Sequence, residues 1–133
     1  MDLLWAGPES PAATLVLAHS AGAAMDSGWM NELCRLLGDR DIRTARFEFA
    51  YMAGRREGIR RPPPKAENSM AEYRDAVAEI VRTCGTPVSI GGKSYGGRVA
   101  SMVADELLDS GEVNGLVCVG YPFHPPERPE QLR

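Results

Sequence analysis

The chain has 133 residues, 44% of them hydrophobic and 25% charged, a length and mix that suit one globular domain with its own core and exclude a disordered or fibrous protein. Its net charge of −3 is uneven, because residues 54–65, GRREGIRRPPPK, carry five basic residues and one acidic. That stretch has no interleaved aromatics, so no nucleic-acid surface is expected, and no apolar run has the length of a signal peptide or a membrane span.

In chain order, Leu3, Leu4 and Trp5 allow an antiparallel edge strand. Residues 14–19, TLVLAH, form a short apolar run without alternation, the mark of a strand buried on both faces. After the loop SAGAAMDSG, Trp29, Leu33, Leu36 and Leu37 recur at helical spacing, with Asp26 or Ser27 as cap and Gly38 at the C-terminal glycine position. Residues 42–50 read as a second strand, and RPPP at 61–64 bars the basic segment from a helix interior or central strand. Ser69 and Glu72 have capping-box spacing ahead of a helix with Met70, Tyr73, Val77, Ile80 and Val81 on one face. A third strand at 87–92, a third helix at 96–109 and a fourth strand at 114–123 follow. This alternation predicts an α/β fold, a parallel sheet in a three-layer α/β/α sandwich, as a single domain over residues 1–133.

Cys34, Cys84 and Cys118 are widely spaced, without CxxC or nearby histidines, and read as thiols of a reducing compartment. The expected location is the cytoplasm, and no metal site is suggested.

The most informative stretch is VSIGGKSYGG, residues 88–97. A phosphate-binding loop would need a glycine where Pro87 stands, and Val88–Gly91 reads as strand. The same residues fit G-x-S-x-G as Gly92, Lys93, Ser94, Tyr95 and Gly96, between a buried strand and a helix. In such a turn a serine nucleophile is held outward, and side chains in place of the flanking glycines would collide with neighbouring backbone. The inert alternative is a glycine-rich strand-to-helix junction. The first strand runs into HSAGA, residues 19–23, where a loop of this type supplies one N–H of an oxyanion hole and the residue after the nucleophile supplies the other. Ala21 and Tyr95 are the candidate donors, and His19 reads as a loop-fixing residue at the rim of a substrate site that also includes Ser20.

Taken together, LVLAHSAGAAMDSGWM, RFEFAYMAGRREGIRRPPPK, IGGKSYGGRVASMVADEL and GLVCVGYPFHPPERPEQLR resemble the α/β-hydrolase-fold family that includes testis-expressed protein 30 and the third subunit of the NSL chromatin complex, related more distantly to dienelactone hydrolases. The resemblance runs from about residue 12 and implies that fold, a serine at Ser94, a glycine-rich loop at 20–23 and no cofactor. Two departures matter: Ser20 stands where the family usually has glycine, and the chain ends at Arg133, where an acid and a histidine would be expected on later loops. His124, in YPFHPP, is a candidate base, with a rim-shaping loop residue as the other reading. Arg55 and Arg56 sit in what reads first as a solvated connector and second as a site for a substrate anion. Lys93 reads as exposed or ion-paired.

The expected function is acyl transfer to water, from an ester, thioester or amide of a small molecule, by Ser94. Little or no turnover is expected from these 133 residues, taken as a fragment or a naturally short member. The alternative is a non-catalytic interaction module that self-associates through the apolar edge GLVCVG, with no nucleic-acid or membrane partner.

Overall fold

The computed structural model describes residues 1–133. Five strands form one sheet: β1 Leu4–Ala6, β2 Ala13–Ala18, β3 Ile42–Phe47, β4 Val88–Lys93 and β5 Val113–Val119. Their order is β1-β3-β2-β4-β5, with β1 antiparallel to β3 and every other neighbouring pair parallel. The helices are α1 Gly28–Asp39, α2 Ala50–Ala53, α3 Met70–Cys84 and α4 Tyr95–Asp109, with 3-10 turns at Gly54–Glu57 and Ala66–Ser69.

The central strand β2 shows why the layers form. Successive side chains leave a strand on opposite faces. Leu15 and Leu17 meet Met30 and Cys34 of α1 on one face, while Val16 and Ala18 join the larger core with Tyr73, Val77, Val99 and Val103 of α3 and α4. Helices therefore cover both faces of a mixed, mostly parallel sheet, as the strand–helix alternation predicts.

Several local expectations are corrected. The buried face of α1 is set by Met30 and Cys34, whereas Trp29 and Leu36 are 42% and 50% exposed. The Lys93 amine sits over the outward-facing Trp29 ring, 4.2 Å from the centroid. Gly38 lies inside α1, and the left-handed position just beyond that helix is taken by Asp41, φ 66°. The Ser27 cap is present, its Oγ accepting from the Met30 N–H at 3.3 Å. Ser69 and Glu72 do not form a capping box, because a 3-10 turn leads directly into α3. Ser69 Oγ instead bonds the Tyr95 hydroxyl at 2.8 Å, and Glu72 accepts from the Ala50 N–H at 2.6 Å. β3 stops at Phe47, so that Ala50 can open α2, and β5 stops at Val119.

The outer strand β5 leaves Leu116 and Val117 43% and 45% exposed. No helix is long and apolar enough to cross a membrane.

Candidate active site

The carboxyl ends of β2 and β4, adjacent and parallel, bring the two loops singled out in the sequence to one end of the sheet. Ser94 is the single residue between β4 and α4, and its backbone has φ 51° and ψ −112°. A non-glycine residue with positive φ away from the left-handed helical well costs about 1–3 kcal/mol and persists only where its surroundings impose it. Here the Ser94 N–H donates to Val119 O at 2.8 Å and the Arg98 N–H donates to Ser94 O at 3.0 Å, so the turn is held from β5 on one side and α4 on the other.

The flanking glycines are required by contact. A Cβ on Gly92 would lie 2.5 Å from the Gly96 carbonyl carbon and 2.7 Å from Ala18 O, and one on Gly96 would lie 2.5 Å from both Ala18 O and His19 O. These obstacles are backbone atoms that no rotamer change can move. The turn thus packs directly against the end of β2, which fixes Ser94 beside the loop that follows.

Ser94 Oγ makes no hydrogen bond within the protein and is not among the buried unpartnered atoms, so it opens to solvent. It lines a cleft of ≈ 510 Å³ whose walls include Ala21, Tyr95, Pro64, Lys65, Glu67 and Arg98. The backbone N–H groups of Ala21 and Tyr95 have no acceptor in the protein. Tyr95 is the first residue of α4, so its N–H also stands at the positive end of that helix.

The neighbouring aromatics hold this end together. Tyr51 donates its hydroxyl to Ala21 O at 2.9 Å, and the Tyr95 hydroxyl donates to Pro64 O at 3.0 Å while bonding Ser69. The Tyr95 ring stacks edge-on against Phe49 and Tyr51, with centroids 5.6 and 6.0 Å apart. Burial pushes both phenols above their usual range, so they act as neutral hydrogen-bonding groups.

His19 is fully buried. Its Nε2 accepts from the Phe49 N–H at 3.1 Å and its Nδ1, the protonated nitrogen, donates to Ser20 O at 2.7 Å. Burial lowers its pKa, against the opposing effect of the Ser20 carbonyl, and the ring stays neutral with both nitrogens engaged. It ties the loop after β2 to the turn after β3 and has no free nitrogen for proton transfer. His124 is exposed, with Nδ1 bonded to Pro125 O at 2.8 Å, and it neither lines the Ser94 cleft nor bonds Ser94.

Arg55 and Arg56 also lie outside that cleft. Arg55 stands over the Tyr51 ring at 5.8 Å, and Arg56 bonds Glu48 at 2.7 and 2.8 Å and Asp26 at 2.7 Å. The Arg56 guanidinium holds the Asp26 carboxyl below its ordinary range. For Glu48, burial works upward, but Arg56 and the Met25 N–H outweigh it and the net shift is downward. The cations that do reach the cleft are Lys65, Arg98 and Arg133. Arg98 was legible as the residue four after Ser94, one helical turn along on the same face.

Comparison with known proteins bears on the fold. Residues 11–133 match the family described as alpha/beta hydrolase domain. The chain belongs to the alpha/beta hydrolase family. Two solved structures are similar to it: the Bacillus licheniformis lipase BlEst2 in its propeptide form, with TM-score 0.61, 14% identity, and coverage of 92% of this chain and 26% of that one; and TT1662 from Thermus thermophilus, with TM-score 0.57, 22% identity, and coverage of 94% and 56%. At such identities the likeness shows the fold. The chain spans about a quarter of the first and just over half of the second. No curated protein sequence gives a significant match.

Proposed function

We propose that Ser94 is the nucleophile of a serine-hydrolase site acting on a small acyl compound, an ester, thioester or amide, with the Ala21 and Tyr95 N–H groups as oxyanion donors. The observation that carries this reading is the strained backbone of Ser94 combined with a solvent-open Oγ that has no protein partner. In the reaction, Oγ adds to the acyl carbon, its proton passes to a base, and negative charge develops on the carbonyl oxygen where unpaired N–H donors stabilise it. The leaving group departs with a proton, and water then releases the acyl group from Ser94.

Neither histidine is free beside Ser94, and Ser94 Oγ is hydrogen-bonded to no side chain that could take its proton. The reading therefore includes weak turnover for this chain, of the residual kind that binding and oxyanion donors sustain when triad members are missing, about 1,000–10,000-fold over water. Added imidazole tests it by accepting the Oγ proton in place of a protein base. Hydrolysis of p-nitrophenyl acetate should rise with imidazole beyond the rise in buffer alone, and Ser94→Ala should abolish the excess. An excess unchanged in Ser94→Ala would refute the assignment. The narrower kinship with testis-expressed protein 30 and the third NSL subunit, and a cytoplasmic location consistent with three free cysteines, belong to the same reading.

A second reading is favoured by the exposure of Leu116 and Val117 on the outermost strand. An unpaired apolar edge is a template for another strand, which makes β5 a surface for self-association in a non-catalytic interaction module. Light scattering across a dilution series should show a concentration-dependent dimer, and a constant monomer mass would remove this reading.

A further inference from the structure

We infer that the Ser94 cleft selects acyl compounds carrying an anionic group, a carboxylate or phosphate, bound by Arg98 and Lys65. The inference rests on Ser94 being the reacting residue and adds the chemical class of what it acts on.

Arg98 sits in the first turn of α4, where the helix dipole disfavours a cation. Its side chain is 19% exposed, and its one carboxylate contact is Glu67 at 3.5 Å, itself 55% exposed. That distance is longer than the 2.7 Å contacts the more exposed Arg56 makes with Glu48 and Asp26, so Arg98 lacks a close charge-assisted partner. Lys65 lines the same cleft with no ion-pair partner, held beside it by the stiff Pro62–Pro64 run. Arg133 also lines the cleft and donates to Pro122 O.

Two under-paired cations, the amino end of α4 and the unpaired Tyr95 N–H converge on one cleft, against one carboxylate, Glu67. The arrangement lacks negative charge, and an anionic substituent would supply it. Apart from Ser94 and Tyr95, the uncharged part of the walls is proline and alanine, suited to a short aliphatic spacer between the anion and the acyl carbon.

The test uses the full chain as Ser94→Ala, so that no chemistry occurs, titrated by amide NMR with monomethyl glutarate and with dimethyl glutarate, its neutral counterpart. Monomethyl glutarate should perturb the Tyr95 and Arg98 amides at least about tenfold more tightly than the diester, the effect of one charge-assisted contact. Sodium chloride should weaken that advantage, and the Lys65→Gln/Arg98→Gln variant should lose it. Lys65 is exposed, so Lys65→Gln alone keeps the fold and should still reduce the preference. Equal binding of the two esters, or a preference that survives both substitutions, overturns the inference. Because the serine hydroxyl is absent, this outcome is independent of whether Ser94 is nucleophilic, which the imidazole experiment reads separately.

Discussion

The Tyr51 hydroxyl donates to Ala21 O at 2.9 Å, joining the short helix after β3 to the loop after β2. This bond fixes the Ala21–Gly22 peptide plane, next to the Ser20–Ala21 plane whose carbonyl is held by His19 Nδ1 at 2.7 Å and whose Ala21 N–H has no protein acceptor. Tyr51→Phe removes this bond while keeping the ring contacts with His19 and Tyr95. Stability should fall by about 1 kcal/mol in urea unfolding, and Ser94-dependent hydrolysis should fall about tenfold or more, as expected when an oxyanion donor is displaced. Unchanged hydrolysis would show that the loop does not depend on Tyr51.

Gly96→Ala would drive a methyl to within 2.5 Å of two carbonyl oxygens at the end of β2. Overpacking against backbone typically costs about 1–3 kcal/mol, occasionally more, and here the upper end is expected because neither obstacle can rotate away. Gly22→Ala is the control, since a Cβ there meets nothing within 4 Å. Thermal unfolding should separate the two variants by several degrees, and similar midpoints would contradict the close approach.

Acid should destabilise the protein in two stages. His19 has a folded pKa below its unfolded value near 6.5, so the unfolded chain binds more protons and stability falls as pH drops through about 6.5. His19→Gln should flatten the stability–pH curve between about pH 7 and 5, at some cost in overall stability from the lost hydrogen bonds. Asp26 and Glu48 are also depressed on folding, so their contribution is complete above the ordinary carboxylate range and is lost on further acidification. Arg56→Gln should weaken that second stage and leave the first intact. Urea midpoints across pH 3–8, about the range these groups titrate in, measure both; a flat curve for the parent chain between pH 7 and 5 would contradict the account of His19.

The strand and helix order was legible because TLVLAH and VSIGG are apolar on both faces, and Gly92, Ser94 and Gly96 announced a turn whose crowding the structure explains. What stayed hidden depends on partners far along the chain. Ser69 looked like a local cap but bonds Tyr95, 26 residues on, and Trp29 looked like core but stacks with Lys93. Periodicity could not separate Trp29 from Met30, because adjacent positions on α1 differ only in which neighbour the tertiary fold supplies. Arg55 and Arg56 drew attention by charge density, yet Arg56 is satisfied by Glu48 and Asp26, while the less conspicuous Arg98 faces the cleft.

The reactivity of one hydroxyl is the claim on which the functional account turns, and adduct mapping by mass spectrometry after prolonged exposure to a fluorophosphonate measures it most directly. The account predicts slow modification confined to Ser94, accelerated by imidazole and absent in Ser94→Ala. Modification spread evenly over Ser94 and other exposed serines such as Ser10 and Ser110, or none at Ser94 with imidazole present, would contradict it.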